Sequence, residues 1–435
     1  MLNDWASRTP DAHALYYDAD GKRSVTYRRL LETVEARAEK LQEQGNTCLG
    51  VLADGSFSCI VDVFAAVFAG MQVVMLDASL SEKTLSQLIR QTDVDQLSGS
   101  PALCLALKDS LTKGVSGGSG NILFFTSGTT EQSKAVVLTE GSLCSSAWNG
   151  SEMLPLQPGD LLLCILPLNH VFGFVCGLLW GLQCGATVAL GRGPRHYFDD
   201  WMFYMPTAAS VVPTMAEFLL RVKGFNPELR QILIGAGDCS AEVLTALQQS
   251  GLKVAFGYGL TETSSGVAIS TQGDPRAMSL CPDCRISLAP DGEILIFCPL
   301  CMMQGYYKRP EDTRAVLCGG VLSTGDLGRF DEEGRLYITG RKKDVLVLSN
   351  GTKIFLPEFE EELSQALGEA DLAVTAENDR LTLILCTEQD EQVIKAKLRP
   401  WALQKPLGQQ ITRIVRRTTP LPRTATGKLI RWKLL

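Results

Sequence analysis

No run of basic residues and no basic patch interleaved with aromatics occurs in this chain, and 48 acidic side chains outnumber 41 lysines and arginines for a net charge of −7. That balance lacks the electrostatic footprint of a nucleic-acid partner, so none is expected. The Gly-x4-Gly-Lys-Ser/Thr spacing of the Walker loop is absent, which excludes that route to nucleotide binding. No repeat period and no low-complexity tract is present, which excludes a solenoid or a disordered linker protein. The first residues, Met1-Leu-Asn-Asp-Trp5, carry neither the basic start nor the apolar core of a secretion signal. The fourteen cysteines therefore read as reduced thiols of a cytoplasmic protein rather than as a disulfide framework. What remains is a 435-residue chain, 45% hydrophobic and 20% charged, of ordinary globular composition and too long for one core, so two or three domains are expected.

One long hydrophobic run has to be weighed. From Val171 to Leu190 only Gln183 is strongly polar, and Gly173, Gly177, Gly181 and Gly185 recur every four residues. This meets the length rule for a membrane-spanning helix and its small-residue packing motif. No basic flank sets a membrane orientation. The run is read instead as a helix buried in a large α/β domain, its glycines admitting close neighbours, and no membrane span is expected.

Periodicity predicts a helix over Tyr27–Gln44, with Leu30, Leu31, Val34, Ala38 and Leu41 on one side. A strand at Cys48–Leu52, a helix at Ser58–Gly70 and a strand at Val73–Leu76 follow, the alternation of a parallel sheet with crossover helices. Further strand–helix pairs lie at Ser210–Pro213 with Met215–Val222 and at Gln231–Gly235 with Ala241–Ser250. Around Arg285–Phe297 the pattern becomes a hairpin turning at Pro290-Asp291-Gly292. A boundary is expected at Arg341–Asp344, after which about 90 residues form a compact α+β unit with a helix from Pro357 and a strand at Ile411–Arg416. The expected fold is α/β: a large N-terminal domain, 1–341, of layered α/β subdomains with parallel sheets, and a small mobile α+β C-terminal domain, 342–435.

The segment Asn121-Ile-Leu-Phe-Phe-Thr-Ser-Gly-Thr-Thr-Glu-Gln-Ser-Lys134 runs an apolar strand into a loop of small hydroxyl residues closed by a lysine. Such a loop turns backbone N–H groups and hydroxyls toward one point, the construction of a polyphosphate cradle, although by itself a Ser/Thr/Gly turn is more often only a turn. Four later segments bear on it: Phe256-Gly-Tyr-Gly-Leu-Thr-Glu262, Ser323-Thr-Gly-Asp-Leu327, Ile338-Thr-Gly-Arg-Lys-Lys-Asp344 continuing through Ser349–Ile354 to Glu360, and Pro422-Arg-Thr-Ala-Thr-Gly-Lys428. Together, in this order, they resemble the adenylate-forming superfamily of acyl-CoA synthetases, aryl-CoA ligases, peptide-synthetase adenylation domains and firefly luciferase. The resemblance covers nearly the whole chain.

The resemblance implies an acid–thiol ligase with ATP, Mg²⁺ and a coenzyme A or phosphopantetheine thiol. It implies that Thr126, Ser127, Gly128, Thr129, Thr130 and Lys134 hold the β- and γ-phosphates, and that Glu262, beside Thr261 in the catalytic turn, holds Mg²⁺ with them. Tyr258 and Gly259 would face adenine opposite Gly235-Ala236-Gly237, Asp326 would accept from the ribose hydroxyls, and Arg341 would assist. Lys428 would bridge the reacting carboxylate and the α-phosphate, and the small domain would turn about Lys343 between the two half-reactions. His170, Phe172, Gly173, Gly257 and Gly266 would wall an apolar acyl tunnel. The carboxylate that serves amino-acid substrates is missing from Leu166–Gly173, so a small-molecule carboxylic acid of fatty or other apolar type is expected, transferred to coenzyme A or to an acyl carrier protein. The alternatives are an amino-acid or aryl-acid adenylase loading a carrier protein, or a non-catalytic adenylate-binding relative. The last is motivated by Glu131, which stands where the family has glycine, because a carboxylate beside a triphosphate is repulsive unless it points outward. Separately, Cys281-Pro-Asp-Cys284 and Cys298-Pro-Leu-Cys301 have the spacing of a zinc ribbon, which the hairpin would close; the other reading is packed strand-end cysteines.

Overall fold

The computed structural model describes residues 1–17, 23–112, 120–126, 133–222, 226–270, 273–348, 353–377, 380–406, 409–423, 429, 431 and 434. Its first long helix shows how the local sequence dictates an element. Thr26 caps Tyr27–Gln44 by accepting from the Arg29 amide at 3.3 Å, and Gly45 ends it in the left-handed region at φ +69°. The buried face is Tyr27, Leu30, Val34, Ala38 and Leu41, with Leu31 only partly covered. Each fully buried large apolar side chain in that face contributes on the order of 1.5–3 kcal/mol. Tyr27 keeps its hydroxyl satisfied by donating to the Ala186 carbonyl at 2.7 Å.

Strand–helix alternation builds two large sheets. The six-stranded sheet runs Gly305–Tyr306, Ala135–Thr139, Asn121–Phe125, Gln72–Asp77, Cys48–Ala53, Gln96–Ser98. Its last four strands are parallel, and Asn121–Phe125 turns back antiparallel to Ala135–Thr139. The nine-stranded sheet runs Ser279–Leu280, Ser265–Ser270, Lys253–Leu260, Gln231–Ile234, Ala208–Val211, Leu161–Cys164, Thr187–Leu190, His13–Tyr17, Arg23–Thr26. Its centre is parallel, and toward one edge it carries the antiparallel hairpin Lys253–Leu260/Ser265–Ser270, flanked by Ser279–Leu280. The hairpin expected around Arg285–Phe297 is present as Arg285–Leu288 and Glu293–Phe297, with Gly292 at φ +90° in the turn.

The hydrophobic run at 171–190 differs from expectation. Helix covers only Val171–Phe174 and Trp180–Gln183, with a π-helical turn at Val175–Leu179 between them. Gly185 then reverses the chain at φ +71°, and Thr187–Leu190 is a buried strand. Three of the four glycines serve close packing: ideal Cβ atoms would lie 2.3 Å from the Pro167 carbonyl oxygen at Gly173, 2.7 Å from Val188 at Gly181 and 2.6 Å from the Trp5 ring at Gly185. Among the described residues no helix is long and apolar enough to cross a membrane. Because the atom met at Gly173 is backbone, Gly173→Ala is expected to lower stability by about 1–3 kcal/mol. A urea midpoint unchanged from the parent would show that the Pro167 loop yields instead.

The chain divides into two compact units, and the second begins at Ile338, earlier than the expected 342; it also takes in Pro290–Ile294 and Gly325–Gly328. The reason lies in ion pairs that carry these short pieces along. Within this unit Lys342 binds Asp291 at 2.7 Å and Glu293 at 2.8 Å, Arg341 binds Asp326 at 3.0 Å, and the Gly325 amide donates to Glu293 at 2.8 Å. The rest of the unit packs helices Leu356–Leu367 and Glu391–Ala402 on a sheet of Leu372–Glu377, Arg380–Cys386 and Ile411–Arg417, around Phe359, Leu363, Val374, Leu383, Ile394 and Trp401.

Candidate active site

Ligands bind at the carboxyl ends of parallel strands in open α/β sheets. Here two adjacent strands, Gln231–Ile234 and Lys253–Leu260, pair in parallel register with Ile234 opposite Phe256. Gly235-Ala236-Gly237 and Gly257-Tyr258-Gly259 therefore emerge side by side. Gly235 is restricted by the Phe172 ring, which an ideal Cβ would meet at 2.8 Å. Ala236 holds φ at +62°, a conformation that costs about 1–3 kcal/mol in a non-glycine residue and recurs at binding sites. The hairpin turn beyond Tyr258 is a single 3-10 turn, Thr261–Thr263, followed by Ser264 and Ser265 at φ +55° and +108°. Thr263 holds it by accepting from the Leu260 amide at 3.0 Å and donating to the Ser265 carbonyl at 2.9 Å.

Glu262 sits on that turn, half-buried, and accepts a 2.7 Å hydrogen bond from the Tyr306 hydroxyl. Burial, and then the Glu262 carboxylate itself, push the Tyr306 phenol above its ordinary pKa, so it stays a proton donor. Lys134 lies 4.6 Å over the Tyr306 ring and pairs with Asp312 at 3.1 Å. The ends of the hydroxyl loop are clamped: the Thr126 amide donates to the Lys134 carbonyl at 3.0 Å, the Lys134 amide to the Thr126 hydroxyl at 3.1 Å, and the Ser133 hydroxyl to the Thr126 carbonyl at 2.7 Å. Ser127, Gly128, Thr129, Thr130 and Glu131 lie outside the described residues.

In the second unit the buried Asp326 carboxylate, 3% exposed, pairs with the half-exposed Arg341. Lys343 is exposed on the 3-10 turn Lys342–Asp344. Lys428 lies outside the described residues, but Arg431, three residues on, forks onto Glu360 at 2.8 and 2.9 Å and reaches Asp344 at 3.5 Å. The same Glu360 accepts from the Val374 amide at 2.7 Å, so Arg431 is tied to the core of its unit.

The donor set can be tested against Mg²⁺. Among the described residues no group of three or more His, Cys, Asp or Glu side chains is set to hold a metal ion. A single carboxylate such as Glu262 fits the way this ion is held, through one or two carboxylates and substrate phosphates, and does not fit an all-protein cage.

The four cysteines, all buried, come together at the open end of the hairpin and take part in hydrogen bonds, as in the packed-cysteine reading; among the described residues no group is set to hold a metal ion. Each Cys-x2-Cys turn closes through its own backbone, Cys284 N–H to the Cys281 carbonyl at 2.9 Å and Cys301 N–H to the Cys298 carbonyl at 3.0 Å. Asp283 accepts from the Cys284 and Cys301 thiols at 3.5 and 3.4 Å and from the Asn149 amide. Burial and Asp283 push the Cys301 thiol up, so it remains protonated. The network buttresses the Thr261–Thr263 turn, because the Cys301 carbonyl accepts from the Ser264 hydroxyl at 2.8 Å and the Met303 amide donates to the Glu262 carbonyl at 2.8 Å.

Of the residues expected to wall the acyl pocket, His170 precedes the helix at Val171 and is exposed; surrounding protein lowers its pKa, with Asp77 opposing. The missing side chain of Gly173 faces Pro167, as described, and an ideal Cβ at Gly266 would meet nothing within 4 Å. Gly266 stands opposite Gly259 in the hairpin and borders a cavity of about 20 Å³ closed by Ser146, Gly150, Cys176, Trp180 and Cys281. That is room for about one water molecule. The buried Ser146 hydroxyl in its wall has no hydrogen-bond partner. Sequence reasoning missed Tyr306, Asp312 and Ser146.

Comparison with known proteins places this geometry. The family model described as AMP-binding enzyme matches residues 2–113 and 119–307. The chain is 29% identical to a 2-succinylbenzoate–CoA ligase of Listeria monocytogenes serotype 4b, over 72% of this chain and 69% of the relative. It is 26% identical to the same-named ligase of Oceanobacillus iheyensis over 100% of this chain and 98% of that one. Among solved structures, the o-succinylbenzoate coenzyme A synthetase of Bacillus subtilis in complex with ATP and magnesium ion superposes with a TM-score of 0.83 at 24% identity, covering 100% of this chain and 98% of the other. An anthranilate CoA ligase in complex with anthranoyl-AMP gives 0.81 at 20% identity, covering 100% and 96%. With more than half of its length matched by the family model, this chain belongs to the AMP-binding enzyme family of the adenylate-forming superfamily.

Proposed function

We propose that the enzyme joins a carboxylic acid to coenzyme A through an acyl adenylate, and that the acid is an aromatic one bearing a second polar group, of the 2-succinylbenzoate type. The observation that carries the choice of acid is the near end-to-end similarity to 2-succinylbenzoate–CoA ligases. It favours the aryl alternative over the fatty-acyl reading of the sequence.

In the first half-reaction a carboxylate oxygen attacks the α-phosphorus of ATP and pyrophosphate leaves. In the second a thiol sulfur attacks the acyl carbon and AMP leaves. The protein has no nucleophile to supply; it neutralises charge and holds groups in line. Lys134 and the hydroxyl loop from Thr126 to Thr130 hold phosphate oxygens. Glu262 would hold Mg²⁺ together with the phosphates, and the ion would supply positive charge for the departing pyrophosphate. Tyr258 and the Gly235–Gly237 turn sandwich adenine, and Asp326 accepts from the ribose. Lys428 bridges the two reacting groups in the first conformation, and rotation about Lys343 withdraws it in the second.

The test is carboxylate-dependent exchange of pyrophosphate into ATP across aryl, fatty and amino acids. Exchange with an aryl acid, followed by thioester formation on adding coenzyme A, is expected. ATP binding with no exchange for any acid would overturn the proposal, and exchange with amino acids alone would replace it with a carrier-loading adenylase.

A further inference from the structure

Tyr306 touches both charged groups that the proposed reaction needs around the triphosphate. Its hydroxyl donates to Glu262 Oε1 at 2.7 Å, and its ring lies under the Lys134 ammonium at 4.6 Å. It is 8% exposed and cannot swing away from either partner without unpacking. Its backbone is fixed as well, because Gly305–Tyr306 pairs with Val136 and Val137 on the strand that follows Lys134, and the Tyr306 amide donates to the Thr313 hydroxyl at 2.9 Å. Lys134 is drawn toward Asp312, which stands on the helix Pro310–Val316 just beyond.

We propose that Tyr306 is a positioning residue that presets the metal carboxylate and the phosphate lysine against each other, its hydroxyl aiming Glu262 and its ring seating Lys134. A carboxylate held by a donor on one oxygen keeps the other free for the cation, and a lysine over an aromatic face is held by the ring quadrupole without losing its N–H donors. The two functions reside in separate parts of one side chain, which makes them separable by substitution. The inference rests on the reading that Glu262 holds Mg²⁺ and Lys134 the phosphates.

Calorimetric ATP binding to the full chain, with Mg²⁺ and with chelator, tests it without relying on turnover. Tyr306→Phe keeps the ring and loses the hydroxyl. It is expected to leave metal-free ATP affinity within about twofold while reducing the Mg²⁺-dependent gain in affinity about tenfold, the worth of one hydrogen bond to a charged group. Tyr306→Leu should also weaken metal-free binding. In a Glu262→Gln background Tyr306→Phe should cost nothing further, because the hydroxyl acts only through that carboxylate. Equal loss in both conditions for Tyr306→Phe, or no loss while Glu262→Gln removes the Mg²⁺ gain, would overturn the positioning role. An intact Mg²⁺ gain in Glu262→Gln would instead overturn the metal assignment on which the inference rests. Tyr306→Phe preserves the buried ring, so the test stands even where Tyr306→Leu fails to fold.

Discussion

Lys428→Ala is expected to lower acid adenylation by about 30- to 1,000-fold while leaving thioester formation from supplied acyl adenylate within a few-fold of the parent. The range corresponds to about 2–4 kcal/mol, the cost of removing one preorganised charge from a transition state whose negative charge spreads over phosphoryl oxygens. The asymmetry follows from the proposed rotation about Lys343: the lysine meets substrate in one conformation only. The measurements are pyrophosphate exchange for the first step and coenzyme A consumption with chemically prepared adenylate for the second. Equal damage to both steps would mean that the lysine is structural or that no rotation separates them.

The second large effect concerns the acid. Catalytic efficiency for an aromatic dicarboxylic acid of the 2-succinylbenzoate type is expected to exceed that for straight-chain fatty acids by at least about 100-fold, since a site that pairs a buried polar group discriminates more sharply than an apolar pocket. A hydrocarbon gains about 0.8 kcal/mol for each methylene it buries, so a tunnel would show efficiency climbing with chain length. The near end-to-end similarity is to 2-succinylbenzoate–CoA ligases, whose named acid is an aryl acid and not a long hydrocarbon. Efficiency is therefore expected to show no such climb. A maximum at a long fatty acid, with aryl acids inert, would restore the fatty-acyl reading and show that Gly266 opens onto a tunnel when substrate binds. The adenylating chemistry would survive either result.

Several of these features were legible in the residues alone, and the reason is their short range. Helix Tyr27–Gln44 is specified by its own cap, its C-terminal glycine and its apolar face, and the hairpin from Arg285 to Phe297 by Asp291-Gly292. Family membership rests on motif order, which is also a property of sequence. The run at 171–190 was misread beyond Gln183 because apolar composition alone does not separate a buried helix from a buried strand; Gly185 at φ +71° and the pairing of Thr187–Leu190 with its neighbours decide it. The cysteine pairs were placed together correctly by the hairpin, but what they do there depends on Asn149, 152 residues from Cys301. Tyr306 lies 44 residues from Glu262, and only the sheet that seats it against Val136 and Val137 brings ring, carboxylate and Lys134 together. Sequence by itself determined the elements and the chemistry of the family, since both are written in spacings of a few residues. Tertiary structure alone decided which charges face each other, because pairing across such separations is selected by packing and burial and not by any local pattern.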